Sequence, residues 1–256
     1  MFDSSRLHSS SSAKFGRKLE PNSTGAEGDS TAVQSQSGND ITLLGGVSTT
    51  NDASSRTYTM WHWKANGGNT TSFSEVGNNP GGTHQANTSG TVSHGLGAVP
   101  GMYLVKNRDV STHNWLMWHQ DLATNGFIAL NLTQQAYYDS ARFTSNNPTS
   151  SVFYVGTDAS TNADGENFVA YVFAEVEGYS RFGSYESNND ADGTFVYTGF
   201  RPAFLITKNI DRNSMSWIMY DNKRDTFNEM NNNFNIGTSS EPYHSTGSSI
   251  DFLSNG

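Results

Sequence analysis

The sequence predicts an all-β protein built from antiparallel β-sandwiches of the jelly-roll or lectin-like kind, on three observations. Short apolar runs of strand length are separated by turns rich in Gly, Asn, Asp and Ser, and long helical patterns are absent. Aromatic residues make up 12% of the 256 residues, so the hydrophobic content of only 34% does not indicate disorder. A long stretch also recurs after roughly 100 residues, a period that suits a domain or half-sandwich.

The recurring stretch carries the same residues at the same spacing in both places. Gly97–Asp109 returns as Gly199–Asp211, and Trp115–His119 returns as Trp217–Asp221 at the same offset of 102 residues. Each copy places a proline just before an apolar run, where a strand can begin without losing a ladder donor. The sequence therefore predicts a strand at the same place in each copy.

An aromatic segment extends the repeat to three units. Arg56–Lys64 alternates in the manner of a strand, and its pattern matches that of Asn167–Glu175. The alignment divides the chain into the C-terminal part of a first unit (1–65), a complete second unit (66–178) and the N-terminal part of a third (179–256). One whole unit between two partial ones is the pattern expected of a piece of a longer repeat protein.

Further strands are predicted where apolar or β-branched runs follow a turn. Each unit is expected to bury one face of its aromatic strands and to leave polar loops outside. Phe127–Leu132 fits either a strand or a short helix. The remaining predicted strands are Ile41–Leu44, Thr91–Gly95, Tyr103–Lys106, Thr194–Thr198 and Phe204–Thr207.

Charge and cysteine content exclude several partners and sites. The net charge of −9 argues against binding the phosphate backbone of nucleic acids, which requires clustered Lys and Arg. The absence of cysteine excludes disulfides and thiolate metal sites. No apolar run approaches the length of about 18 residues that a membrane span needs, so no membrane insertion is expected. The sequence predicts no cofactor.

Aromatic residues provide the candidate ligand-binding positions. Trp115 and Trp217 recur at equivalent positions, so packing is their predicted role. Tyrosines that do not recur and that lie in polar loops are the better candidates for stacking on a ligand such as a sugar. These tyrosines are Tyr137, Tyr138, Tyr185 and Tyr243.

Two carboxylates raise the alternative of a hydrolase. Glu175 and Glu177 stand two residues apart on a predicted strand, and paired carboxylates perform glycoside hydrolysis when they are suitably spaced. They lie at the end of an apolar strand beside Gly178, where a solvated rim is expected. The sequence therefore predicts a protein that is not an enzyme.

Two loops are rich in side-chain oxygens. The first contains Asp158, Asn162 and Asp164. The second contains Asn188, Asp190 and Asp192 before Gly193, and it resembles the start of a calcium loop. The closing glutamate of an EF-hand is missing from the second loop, because position twelve falls on Gly199. Turns are the predicted structure, and the scattered histidines form no metal-binding pattern.

Several strings resemble a repeat domain of uncharacterised function found in large virion proteins of tailed phages, particularly marine ones. The resemblance implies a tail-fibre-like or other surface-exposed virion component, and it brings no established catalytic residues. The strings are Tyr58–Gly68, Ser93–Pro100, Pro148–Gly156, Phe168–Gly183, Gly193–Pro202, Met219–Asp225 and Ile250–Gly256.

The predicted function is therefore that of a phage virion structural protein that contributes to attachment to host-surface glycans. Its expected place is the surface of a particle assembled in the host cytoplasm. Its expected partners are other virion proteins and a host glycan, in a homo-oligomer such as a trimer. A capsid decoration protein is one alternative, and a glycan depolymerase that uses Glu175 and Glu177 is a less favoured one.

Overall fold

A computed structural model describes eight parts of the chain. The described residues are 1, 15–37, 40–47, 50–52, 56–63, 89–236, 243–244 and 249–256. The predicted boundary between the first and second units, at residues 65 and 66, lies outside them. The side chain of Tyr243 also lies outside the described part.

The described chain is nearly all β, and every strand pairing is antiparallel, which confirms the predicted fold class at that level. A single helical turn, α1 (Ala159–Asn162), interrupts it. A small sheet near the beginning of the chain contains, in order, β1 (Phe15–Lys18), β2 (Gly28–Ser37) and β3 (Asp40–Leu43). A two-stranded sheet pairs β4 (Gly90–Ser93) with β9 (Val152–Val155).

The largest sheet has five strands in the order β10-β5-β6-β7-β8. Its longest strand, β5, is an apolar run inside the sheet that pairs with β10 on one side and with β6 on the other. Its members are β5 (Pro100–Asn107), β6 (Leu116–His119), β7 (Gly126–Ala129), β8 (Tyr137–Tyr138) and β10 (Phe168–Ala174). The ambiguous segment Phe127–Leu132 is a strand up to Ala129, because β7 pairs with β6, and it turns from Leu130 onward.

A second large sheet has four strands in the order β11-β12-β13-β14. Its members are β11 (Phe204–Thr207), β12 (Trp217–Asp221), β13 (Asn232–Ile236) and β14 (Tyr243–His244). Leu104 of β5 pairs with Met117 of β6, and Ile206 of β11 pairs with Met219 of β12. All four pairs between β11 and β12 stand 102 residues after their counterparts between β5 and β6.

The two large sheets pack on one another through one apolar cluster. Trp115, Leu104 and Met117 of the five-stranded side and Trp217 of the four-stranded side are buried in it. The indole nitrogen of Trp217 donates to the carbonyl oxygen of Ala129 at 3.0 Å, which ties the two sheets directly. Face-to-face packing of two antiparallel sheets is the arrangement of a β-sandwich.

The five-stranded sheet is covered on its other face as well. Tyr103, Trp118 and Phe127 point away from the first cluster and pack with Phe153 of β9. The expectation that each unit buries one face of its strands is therefore wrong for this sheet. The reason is visible in β5, which has an almost continuous apolar run instead of the alternation expected of a half-buried strand.

Two predicted strands are not formed. Thr194–Thr198 has no ladder partner among the described residues, and the amide of Thr198 donates only to Asn255. The chain likewise forms no strand over 56–63, the described part of the predicted strand Arg56–Lys64. Alternating sequence makes a strand only where another strand supplies its hydrogen bonds, and here neither segment receives a full partner.

Both loops rich in Asp and Asn form the predicted turns. The carboxylate of Asp158 accepts hydrogen bonds from the amide and the hydroxyl of Ser160, at 2.8 and 2.5 Å, and caps α1. In the second loop, Asn188 accepts from the amide of Asp190, and Asp190 accepts from the amide of Asp192. In the described ranges, no helix has the length and apolar character needed to cross a bilayer.

Candidate functional site

A shallow polar groove lies where β4 and β9 meet the loop that follows Phe143. It has a volume of about 220 Å³. Residues 90–93 and 152–155 bring Thr91 opposite Tyr154 in the ladder. The groove is lined by Ser89, Gly90, Thr91, Thr144, Asn146 and Tyr154.

The groove is held in shape by its neighbours. The buried hydroxyl of Thr144 accepts a hydrogen bond from the amide of Asn146 at 3.2 Å, which shapes the loop. The hydroxyl of Tyr103, in the core below, donates to the carbonyl oxygen of Tyr154 at 3.3 Å. The lining therefore presents hydroxyls, a carboxamide and a phenol on a supported backbone. These groups match the hydroxyls and ring faces of a sugar.

The sequence did not indicate this groove, because its lining comes from three separated segments. Ser89–Thr91, Thr144–Asn146 and Tyr154 are each unremarkable polar positions when they are considered alone. Only the pairing of β4 with β9 brings them together. The recognisable signal was limited to the short strand predicted at Thr91.

The predicted tyrosines Tyr137 and Tyr138 form the edge strand β8 of the five-stranded sheet. The ring of Tyr137 stacks on Phe127 at a centroid distance of 5.8 Å, and this contact covers one of its faces. The guanidinium of Arg142 lies 5.1 Å from the centroid of the same Phe127 ring. Tyr138 is more exposed, at 58%, and is the more accessible of the two rings.

The other two candidate tyrosines belong to the four-stranded side. Tyr243 starts β14, the edge strand that pairs with Asn233 of β13, as Tyr137 pairs with Phe127. The exposed Tyr185 lies close enough to Tyr220 to contribute to the raised pKa of the Tyr220 phenol, for which burial is the main cause. Tyr137 and Tyr138 thus lie in one sheet, Tyr243 lies in the other, and Tyr185 lies in a segment that forms no strand.

Glu175, the first of the paired carboxylates, anchors a loop. Its oxygens accept hydrogen bonds from the amide of Phe182 and from the guanidinium of Arg181, both at 3.1 Å. The side-chain amide of Gln120 donates to it from 3.4 Å. Glu177 is exposed in the turn that the bridge between Val176 and Ser180 closes. Glu175 thus holds the loop that carries Phe182.

A histidine lies beside this carboxylate. Burial lowers the pKa of His119, while the nearby charges of Asp121 and Glu175 act in the opposite direction. The Nδ1 atom of His119 accepts a hydrogen bond from the amide of Asp121 at 3.2 Å. The neutral ring is therefore the form that the burial of His119 and this hydrogen bond favour.

A buried lysine is the most perturbed cation in the described structure. Lys106 is fully buried, and its ammonium donates to the carbonyl oxygens of Thr24 at 3.2 Å and of Asn107 at 2.5 Å. Burial lowers the pKa of Lys106 to about 8. Lys208, which directly follows β11, is the counterpart of Lys106 in the repeat. Its ammonium likewise donates to the carbonyl oxygen of the next residue, Asn209, at 2.7 Å. Burial lowers the pKa of Lys208 too.

The burial of Lys106 predicts a stability that rises with pH. The unfolded chain holds the lysine proton up to the ordinary pKa of 10.5 and the folded chain up to about 8, so the unfolded state binds more protons in between. Unfolding in urea, followed from pH 7 to pH 10, should show the free energy of unfolding increasing above pH 8. The Lys106→Met variant should lose most of this slope.

Tyr103 sets the upper pH limit of this test, and Lys208 supplies its control. Burial raises the pKa of Tyr103, so above pH 10 the unfolded chain loses the phenol proton first and stability falls again. Measurements therefore stop at pH 10. The matched variant Lys208→Met should keep most of the slope, because Lys208 is only partly buried. A wild-type profile that is flat or falls between pH 8 and pH 10 would contradict the prediction.

No group of three or more His, Asp or Glu side chains in the described ranges is arranged so that it could hold a metal ion. A comparison with family models matches residues 4–256 to one described as "Domain of unknown function (DUF7483)". No curated protein and no solved structure matches the chain.

Proposed function

We propose that this chain, which belongs to the DUF7483 family of domains, is a structural protein of a phage virion, tail-fibre-like, that binds host-surface glycans. The groove beside Tyr154 carries the glycan part of this proposal. The virion part rests on the resemblance of the strings between Tyr58 and Gly256 to repeat domains of phage structural proteins.

The architecture suits such a role. Antiparallel sheets with buried faces give a rigid scaffold, and the polar connections at their ends carry the recognition surface. The proposed organisation is a series of units of about 100 residues, each with jelly-roll or lectin-like character. The equal offset of all four β5–β6 and β11–β12 pairs supports the repeat.

Binding to a glycan array tests the proposed groove. Asn146→Ala and Tyr154→Phe each remove one polar group that lines the groove, and neither removes a core side chain. Each should weaken binding to the recognised glycan by about tenfold, the effect of losing one good hydrogen bond. Tyr138→Ala on β8, the edge strand of the five-stranded sheet, is the matched control and should keep the wild-type affinity.

The glycan-array result distinguishes the groove from the exposed tyrosines of β8 as the binding surface. Loss of binding in the Tyr138 variant, with normal binding in both groove variants, would move the ligand site to the exposed tyrosines of β8. An array without any binding glycan would remove the host-attachment part of the proposal. Gold-labelled antibody against the chain then tests the virion part, since label at the tail supports the fibre and label on the head supports capsid decoration.

The proposed role is binding without hydrolysis. The oxygens of Glu175 accept hydrogen bonds from the amide of Phe182 and the guanidinium of Arg181. These hydrogen bonds hold the loop that carries Phe182. Incubation with the recognised polysaccharide should leave its chain length unchanged. Turnover that the Glu175→Gln variant abolishes would instead support the depolymerase.

A further inference from the structure

In the described part of the chain, one edge of the four-stranded sheet has no strand at the place where the five-stranded sheet has β10. β5 is paired along its outer edge with β10 through seven residue pairs, from Phe168 opposite Asn107 to Ala174 opposite Pro100. β11, whose pairing with β12 repeats that of β5 with β6, stands at the edge of its sheet. No paired strand covers this edge among the described residues. An uncovered edge offers a row of hydrogen-bonding groups to an incoming strand.

A segment of the same chain has the side-chain pattern of β10 and already lies against this sheet. Trp63 packs on Phe204 of β11 with ring centroids 5.8 Å apart, and Trp61 packs on Phe204 at 6.1 Å and on Phe234 of β13 at 5.9 Å. Trp61 corresponds in the sequence to Tyr171 of β10. Phe204 therefore receives the rings of a β10-like segment.

The position of the Trp63 ring agrees with the register of β10 on β5. Phe173 is opposite Met102 in that ladder. Trp63 corresponds to Phe173 and Phe204 corresponds to Met102, so the observed contact between Trp63 and Phe204 joins the equivalent pair. Phe173 and Tyr171 also face the apolar cluster between the two sheets, as does Ile206, which shares a face with Phe204.

We propose that the open edge of β11 is a strand-docking site and that the segment Tyr58–Trp63 of the same chain, which lies against the sheet without pairing in this structure, docks there as a fifth strand in the register of β10 on β5. The site selects an extended strand that carries aromatic rings at alternate positions on the face toward the core. The backbone of the strand completes the ladder, as in recognition by strand addition. Residues 56–63 and the four-stranded sheet would then form a five-stranded sheet equivalent to the other.

Engineered disulfides test both the occupant and the register. The chain contains no cysteine, so two introduced cysteines are its only thiols. In the proposed register His62 lies opposite Leu205, as Val172 lies opposite Tyr103. Residues directly opposite in a ladder bring their Cβ atoms within about 5 Å, close enough for a disulfide after small adjustment. His62→Cys with Leu205→Cys should therefore form a cross-link within one chain under mild oxidation.

A one-residue shift provides the control. Ile206 points to the opposite face of β11 from Leu205, so His62→Cys with Ile206→Cys should stay reduced under the same conditions. A disulfide that joins two chains would overturn the proposal in favour of a second copy as the occupant. Equal cross-linking in both pairs, or none in either, would overturn it as well.

Hydrogen exchange supplies a second measurement on a chain without cysteines. Replacing Trp61 and Trp63 with alanine should speed amide exchange in Phe204–Thr207 by about tenfold, because the covering strand loses its anchoring rings. Exchange in Pro100–Asn107, where β10 remains paired, is the internal control and should not change. Unchanged exchange in both strands would overturn the proposal.

Discussion

The Trp115→Ala variant should unfold with a free energy about 3–5 kcal/mol lower than that of the wild type. Trp115 is fully buried in the cluster between the two large sheets. Its ring stacks on Tyr171 of β10 at a centroid distance of 6.3 Å, and its indole nitrogen donates to the carbonyl oxygen of Glu20 at 3.0 Å. Truncation therefore leaves a cavity and removes this hydrogen bond. Urea unfolding followed by circular dichroism measures the loss.

An exposed aromatic residue is the control for this prediction. Phe227 is 80% exposed, and its replacement by alanine should change the free energy of unfolding by less than about 0.5 kcal/mol. A loss below about 1 kcal/mol in Trp115→Ala would contradict the packing of the two sheets through this residue.

The Asn107→Ala variant should lose about 3 kcal/mol of stability, because it removes the four hydrogen bonds of a fully buried side chain. The side-chain oxygen of Asn107 accepts from the amides of Asp109 and Val110 at 3.0 and 3.1 Å. Its side-chain nitrogen donates to the carboxylate of Glu166 and, at 3.4 Å, to the carbonyl oxygen of Ala159. Asn107 thus joins the end of β5 to α1 and to the loop that precedes β10. Chemical unfolding measures the difference.

Asn209 is a matched control supplied by the chain itself. Its side-chain oxygen accepts from the amides of Asp211 and Arg212, both at 3.0 Å, in the same local turn. Asn209 is exposed and has none of the other described hydrogen bonds of Asn107. Asn209→Ala should therefore cost about 1 kcal/mol. Equal losses in the two variants would show that the turn alone carries the effect.

Several elements were predictable because the information is local. The turn residues at Asp158 and Asn188 define their own hydrogen bonds. Pro100 is the first residue of β5, and Pro202 stands two residues before β11. The repeated string around Leu104 predicted strands at equivalent places, and their pairings have the same offset. The strand predicted at Thr194–Thr198 does not form. A strand needs a neighbouring strand as hydrogen-bond partner, and only the tertiary structure decides whether one lies beside it.

The candidate site was much less predictable than the strands. The notable aromatic and acidic residues of the sequence turned out to support the sheets and loops, as Trp115 and Glu175 show. The lining of the groove consists of ordinary polar residues, such as Thr91 and Asn146, separated by more than fifty positions. No local pattern marks such residues, because their shared feature is only a position in space.

By itself the sequence determined the β class, the turns and the equivalence of the two long strand pairs, because side-chain alternation and turn chemistry act over a few residues. Tertiary structure decided which faces meet. It covered both sides of the sheet around β5, it buried the ammonium of Lys106 against the carbonyl of Thr24, and it placed Trp61 on Phe204. These contacts join segments far apart in the chain, so their energies depend on the packing of whole sheets and not on any local pattern.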